Sequence, residues 1–116
     1  MKTRAELIRE VLETLGALAV GQTPSSEDYN AIDNRIEPIL NELRARRVID
    51  IPDAEEFEDE VFLALADVVT GYSASAYVAS QIRGMDMETF RLRAESRLRY
   101  ISSGGHYDFV LRAEYF

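Results

Sequence analysis

The chain has no cysteine and a single histidine among its 116 residues. Without cysteine there can be no disulfide and no thiolate zinc site. The lone imidazole, His106, sits in a glycine-rich stretch, and no Glu-x-x-His helical pair or phosphate-cradling glycine loop accompanies it. A nucleophile needs a base held beside it, so we expect no catalytic residue, no metal ligand and no cofactor. No secretory apolar segment follows Met1, which points to an intracellular or assembled location. Long apolar runs are missing too: a membrane span needs roughly 20 such residues, and the richest candidate is interrupted by Asp67 and diluted by Thr70, Ser73, Ser75, Ser80 and Gln81. Positive charge is outnumbered, 13 Lys and Arg against 21 Asp and Glu, and the net charge of -8 opposes docking of the whole surface on a nucleic acid backbone.

What is present is a chain long enough to bury roughly 65% of its unfolded surface in one core. Residues 57–80 are its centre, read as a helix with Phe57, Val61, Leu65, Val68, Tyr72 and Ala76 at three- and four-residue steps and Phe62, Val69 and Tyr77 widening the stripe. One flank is small: Gly71, Ser73, Ala74, Ser75, Ala76, Ala79 and Ser80. Glycine inside a helix costs about 1 kcal/mol relative to alanine. Gly71 is therefore expected where a neighbouring backbone comes close, a local bend being the alternative. Asp67, the odd charge in this helix, is expected at its polar edge rather than paired with an arginine of another helix or subunit.

Thr3 and Glu6 have capping-box spacing, and Leu7, Ile8, Val11, Leu12 and Leu15 follow as one stripe that ends near Gly16. Pro24 suits the first turn of a second helix capped by Thr23 or Ser25. There Tyr29, Ile32, Ile36, Ile39 and Leu43 keep heptad spacing over a length suited to packing within a bundle. Pro38 predicts a kink or break near Glu37. Arg44, Arg46 and Arg47 complement the helix end, and Val48, Ile49 and Ile51 form an extended connector stopped by Pro52, with no real sheet expected. Asp53 with Glu56 repeats the capping spacing and is expected to open the third helix. Gly84 ends it, Asp86 caps a fourth, and Phe90, Ala94, Leu98 and Ile101 give that helix its stripe. The expected fold is all-α: a four-helix bundle-like single domain over residues 1–103, followed by an extended C-terminal arm over residues 104–116.

Charge is segregated. Asp50, Asp53, Glu55, Glu56, Glu58, Asp59 and Glu60 form an acidic block, whereas Arg83, Arg91, Arg93, Arg97 and Arg99 lie toward the other end. Two readings stand: two solvated faces, or a subunit interface in which Asp53, Glu56 and Asp59 of one copy meet Arg91, Arg93, Arg97 and Arg99 of the next. With Tyr100 these arginines superficially resemble a basic recognition helix, but Glu88, Glu95 and the overall acidity argue against sequence-specific nucleic acid binding. After the hinge at Ser102, Ser103, Gly104 and Gly105, the residues Tyr107, Phe109 and Leu111 alternate in strand fashion before Tyr115 and Phe116. These five apolar residues are the expected partner-binding set, ordered by adding to a partner; an arm folded back over its own bundle is the alternative.

Several segments together, Lys2-Thr-Arg-Ala-Glu-Leu-Ile-Arg to Leu15-Gly16, Gly21-Gln-Thr-Pro-Ser-Ser-Glu-Asp28, Leu40 to Arg46, Ile51-Pro52 and Phe62-Leu-Ala-Leu-Ala-Asp-Val-Val69, resemble the head-to-tail connector adaptors of tailed phages, similar to the podovirus tail accessory factor family. The likeness runs from about Lys2 to Tyr100 and rests on helix order and loop signatures. It implies a structural virion protein made in the host cytoplasm, a homo-oligomer in a dodecameric ring below the portal protein that closes the packaged head and offers a platform for the next neck or tail protein. The tail is shorter than that family's pattern. A cytoplasmic helical regulator that takes a protein partner through Phe90, Leu98 and the arm is the alternative, and a nucleic-acid-binding role comes third.

Overall fold

Thr3 closes the capping box that its spacing with Glu6 predicts: Glu6 N donates to Thr3 Oγ1 at 3.2 Å and Thr3 N donates back to Glu6 Oε1 at 3.1 Å. This is seen in a computed structural model, which describes residues 1–74 and 87–102. Strand β1 (Lys2–Thr3) leads into α1 (Arg4–Leu15), which ends where Gly16 adopts φ 81°. Ala17 N donates to Leu12 O there, the closing bond of a Schellman turn. Leu7, Ile8, Val11, Leu12 and Leu15 are all buried. Ser25, not Thr23, caps α2 (Ser26–Ala45), and Pro24 precedes that cap instead of opening the first turn. The break expected at Pro38 does not occur, for α2 continues through it. Pro38 and Asn34, whose carbonyl loses its donor, both lie on the exposed side, where that carbonyl is open to solvent. The heptad stripe is core: Ile32, Ile36, Ile39 and Leu43 are buried, and Tyr29 packs at its margin.

The end of α2 repeats the turn of α1 with a different residue. Val48 N donates to Leu43 O at 2.8 Å, and the left-handed position is taken by Arg47 at φ 57°. Val48 is thereby turned into the core, and Ile49 and Ile51 follow at its edge.

Contrary to expectation, a short sheet follows. β2 (Glu56–Phe57) pairs antiparallel with β1, Lys2 opposite Phe57 and Thr3 opposite Glu56. That pairing overrides the cap expected at Asp53. Asp53 Oδ1 instead accepts from Glu55 N at 2.9 Å, a local turn, and α3 (Asp59–Ser73) opens six residues later with Glu58 at its N-cap. Phe57 therefore reaches the core from a strand. Val61, Phe62, Leu65, Val68 and Val69 are buried along α3, with Tyr72 half-buried. α4 (Met87–Ser102) runs along α3, burying Ala94 and Leu98, while α1 packs on both α2 and α3. The remainder of the central stripe, Ala76 and Tyr77, the stop at Gly84 and the cap at Asp86 lie outside the described residues. Four helices account for the described fold, which is all-α apart from the two-residue strands.

Gly71 explains how α3 and α4 come together. Its φ is not left-handed, yet a Cβ placed on it would lie 2.7 Å from Arg91 Cβ and 3.2 Å from Arg91 Cα. The missing side chain admits the α4 backbone, as expected from a glycine kept inside a helix.

Candidate functional site

The arginines of α4 divide into two groups. Glu95 is completely buried, and it is held by Arg46 from the end of α2 (Nη2 to Oε1, 2.6 Å; Nη1 to Oε2, 3.1 Å) and by Arg91 one turn earlier (Nη1 to Oε2, 2.5 Å). Arg91 also stacks over the Tyr72 ring at 4.8 Å, while the Tyr72 hydroxyl donates to Glu42 and accepts from Arg46 at 2.9 Å. The bond to Glu95, against the opposing effect of burial, raises the Arg46 pKa above its ordinary value. Burial first, then the bond to Glu42, raises that of Tyr72. This clamp ties three helices together and is structural. Arg97 is likewise engaged, donating to Asp67 Oδ2 at 2.7 Å. Asp67 therefore pairs with an arginine of another helix, where the polar edge alone had been expected; at 27% exposure it is half-buried, too enclosed to be left to water.

Arg93 and Arg99 have no ion pair among the described residues and point outward with Leu92, Ser96 and Tyr100. Leu92 and Tyr100 keep 43% and 47% exposure, large for apolar and aromatic side chains. The outer face of α4 is thus basic and apolar at once. Of the four arginines expected at a subunit interface, two are occupied within the chain and two are available.

The acidic block borders a groove of about 450 Å³. Ile49, Ile51, Phe57, Val61 and Ile101 form its floor, and Asp50, Asp53, Glu56, Glu58 and Glu60 its rim. The loop over residues 49–55 is fixed from beneath by Arg4, whose Nε donates to Asp33 Oδ1 at 2.6 Å and whose Nη1 donates to Glu55 Oε2 at 3.2 Å. Burial disfavours the Arg4 charge, yet the bond to Asp33 and the carboxylates around it raise its pKa on balance. Glu60 is pushed up from its ordinary value, first by a hydrogen bond shared with Glu58 and then by the Glu58 charge. The rim is crowded with like charge. Asp59 lies exposed beside it in the first turn of α3, where the positive helix end favours an acid.

The chain matches no protein-family model, no curated protein and no solved structure. Among the described residues no group of His, Cys, Asp or Glu is placed to hold a metal ion, and no described helix is long and apolar enough to cross a membrane. Leu98, expected to help line a partner groove with Phe90, is fully buried and Phe90 is half-buried, so that pairing offers a partner little. Tyr107, Phe109, Leu111, Tyr115, Phe116 and His106 lie outside the described residues. Sequence reasoning missed the groove, whose floor draws on Ile49 and Ile51, read only as connector. It also missed Glu95, which the flanking core residues Ala94 and Leu98 mark as inward-facing.

Proposed function

We propose that the protein is a head-to-tail connector adaptor, a structural component of a tailed-phage virion that forms a ring of like subunits below the portal, closes the packaged head and receives the next neck or tail protein. The observation that carries this reading is that one chain bears both an acid-rimmed apolar groove and a basic apolar helix face. A surface that carries its own complement elsewhere on the molecule makes head-to-tail contacts, and such contacts close into rings when the rotation allows. The sequence resemblance supports the same assembly and supplies its setting in the neck. In this reading Asp53, Glu56 and Asp59 of one subunit face Arg93 and Arg99 of the next, while Arg91 and Arg97 hold their own helix in shape. The arm residues Tyr107, Phe109, Leu111, Tyr115 and Phe116 reach the portal or an adjacent subunit in the assembled particle.

Exposed ion pairs contribute only about 0–1 kcal/mol each, so assembly depends on their repetition and on the apolar area they surround. Mass photometry and negative-stain imaging with and without the portal test the proposal. Rings of wild-type protein on the portal are expected, with assembly strengthened at low salt and lost on reversing Arg93 and Arg99 to Glu. Assembly indifferent to both salt and charge reversal would refute the interface. A monomer that binds DNA at physiological salt and ignores the portal would refute the adaptor reading itself.

A further inference from the structure

The groove is placed to serve the chain's own C-terminal segment. Ile101 and Ser102, the last described residues of α4, line it, so the chain passes into residues 103–116 at the groove itself. Ser103, Gly104 and Gly105 come next, and glycine takes positive and negative φ about equally, so this sequence is compatible with a sharp turn. Beyond them Tyr107, Phe109 and Leu111 alternate with Asp108 and Val110, a pattern that presents one apolar face to a surface when extended. At about 3.3 Å per extended residue, the stretch from 103 to 111 spans about 30 Å, ample to cross the groove from where it starts. The floor is apolar and one wall is strand β2, to which an extended segment can add. The 450 Å³ available falls within the range of cavities that enclose most of a small ligand. Arg112 follows the apolar residues and brings a cation toward five rim carboxylates.

We propose that in the free protein this groove is the seat of residues 107–111 of the same chain, with Tyr107, Phe109 and Leu111 on its floor and Arg112 against its rim. A second copy of the chain would offer the same segment, but a short tether places the chain's own at an effective concentration in the millimolar range, well above that of any free copy in dilute solution. The seat does not depend on the adaptor reading.

The cysteine-free chain allows the seat to be tested by attaching a nitroxide at Glu114→Cys in the full-length protein and recording amide signals of the 15N-enriched sample. Expected is a loss of signal at Ile49, Ile51, Phe57 and Ile101 at least twofold greater than at Val20 and Gly21, beyond the far end of α1. The loss should be independent of protein concentration and absent when labelled unenriched chain is mixed with unlabelled enriched chain. Phe109→Ser in the labelled protein should restore the groove signals. Equal loss at all positions, loss that persists in Phe109→Ser, or loss that appears in the mixed sample would each overturn the proposal, the last by making a second copy the occupant. Ring formation on the portal does not enter this measurement, so either reading can fail without the other.

Discussion

Replacing Gly71 by alanine adds one methyl group where α3 meets α4, and two effects of opposite sign follow. In an isolated helix the change would stabilise by about 1 kcal/mol, because alanine loses less backbone entropy than glycine. Here the new Cβ would lie 2.7 Å from Arg91 Cβ. Carbon atoms in good contact sit about 3.5–4.0 Å apart, so the helices must separate by about 1 Å. Cβ is fixed to the backbone and cannot swing aside as a side-chain tip could. Overpacking of this kind costs about 1–3 kcal/mol, and separating the helices also pulls Arg91 of α4 off the Tyr72 ring of α3, over which it stacks at 4.8 Å. We expect Gly71→Ala to destabilise by about 1–2 kcal/mol net and Gly71→Leu by more. In a domain of this size that lowers Tm by about 4–8 °C per kcal/mol, with urea midpoints falling in parallel. Placing Gly71→Ala in an Arg91→Gly background removes the 2.7 Å obstruction and leaves the α-carbon of residue 91 at 3.2 Å, so there the alanine should cost less than it does in the wild type. A Tm for Gly71→Ala equal to or above that of the wild type would refute the close approach, as would a double mutant in which the two changes simply add.

Removal of Arg46, as Arg46→Ala, takes two charge-assisted hydrogen bonds from the buried Glu95 but leaves it Arg91, and should cost about 1.5–3 kcal/mol, read as a fall in urea midpoint. Tyr72 has its pKa raised above the ordinary value of about 10, so neutral Tyr72 favours the folded chain. Its contribution is complete below about pH 10 and is lost as pH climbs through the raised value; Tyr72→Phe should flatten this alkaline loss in thermal melts across the range. Arg47 occupies a left-handed position that costs a non-glycine residue about 1–2 kcal/mol. Arg47→Gly should raise Tm slightly, and a lowered Tm would show that the guanidinium contributes something the ion pairs do not account for. Leu65→Ala, at a completely buried position of α3, should cost about 2–5 kcal/mol in the same denaturation assay.

The parts of the fold that depend on neighbours in sequence were legible in the sequence. Thr3 with Glu6, Gly16 after Leu15, and the isoleucines of α2 each act within a few residues, so spacing alone reports them. Asp53 with Glu56 has the same spacing as a cap but a different outcome, because Glu56 and Phe57 find partners at Thr3 and Lys2, distant in the chain. Asp67 and Arg97 are separated by 30 positions, and Arg46 and Glu95 by 49. Nothing in local periodicity joins such pairs, and an alternation of arginine and glutamate along α4 reads as a solvated face until one knows which side meets α3. The same gap explains the candidate surface: the acidic block was visible, but its apolar floor is assembled from three separated stretches. Gly71 is the exception, a tertiary contact legible beforehand because a helical glycine needs a reason from outside its helix.

The α3–α4 crossing that Gly71 permits has a further bearing on how copies would add to one another. The groove takes Val61 from α3 and Ile101 from α4, whereas the complementary face is the outer side of α4. The direction from one to the other is therefore set by how closely and at what tilt these two helices lie. In an assembly where each subunit hands its helix face to the next groove, that direction is the turn between neighbours, and the count of subunits is a full circle divided by it. Growth stops when the last groove meets the first helix; a turn with any component along the axis would instead wind into an open filament. A methyl group at residue 71 would thus act on arithmetic as well as on stability, changing how many copies complete the circle, or whether it closes at all.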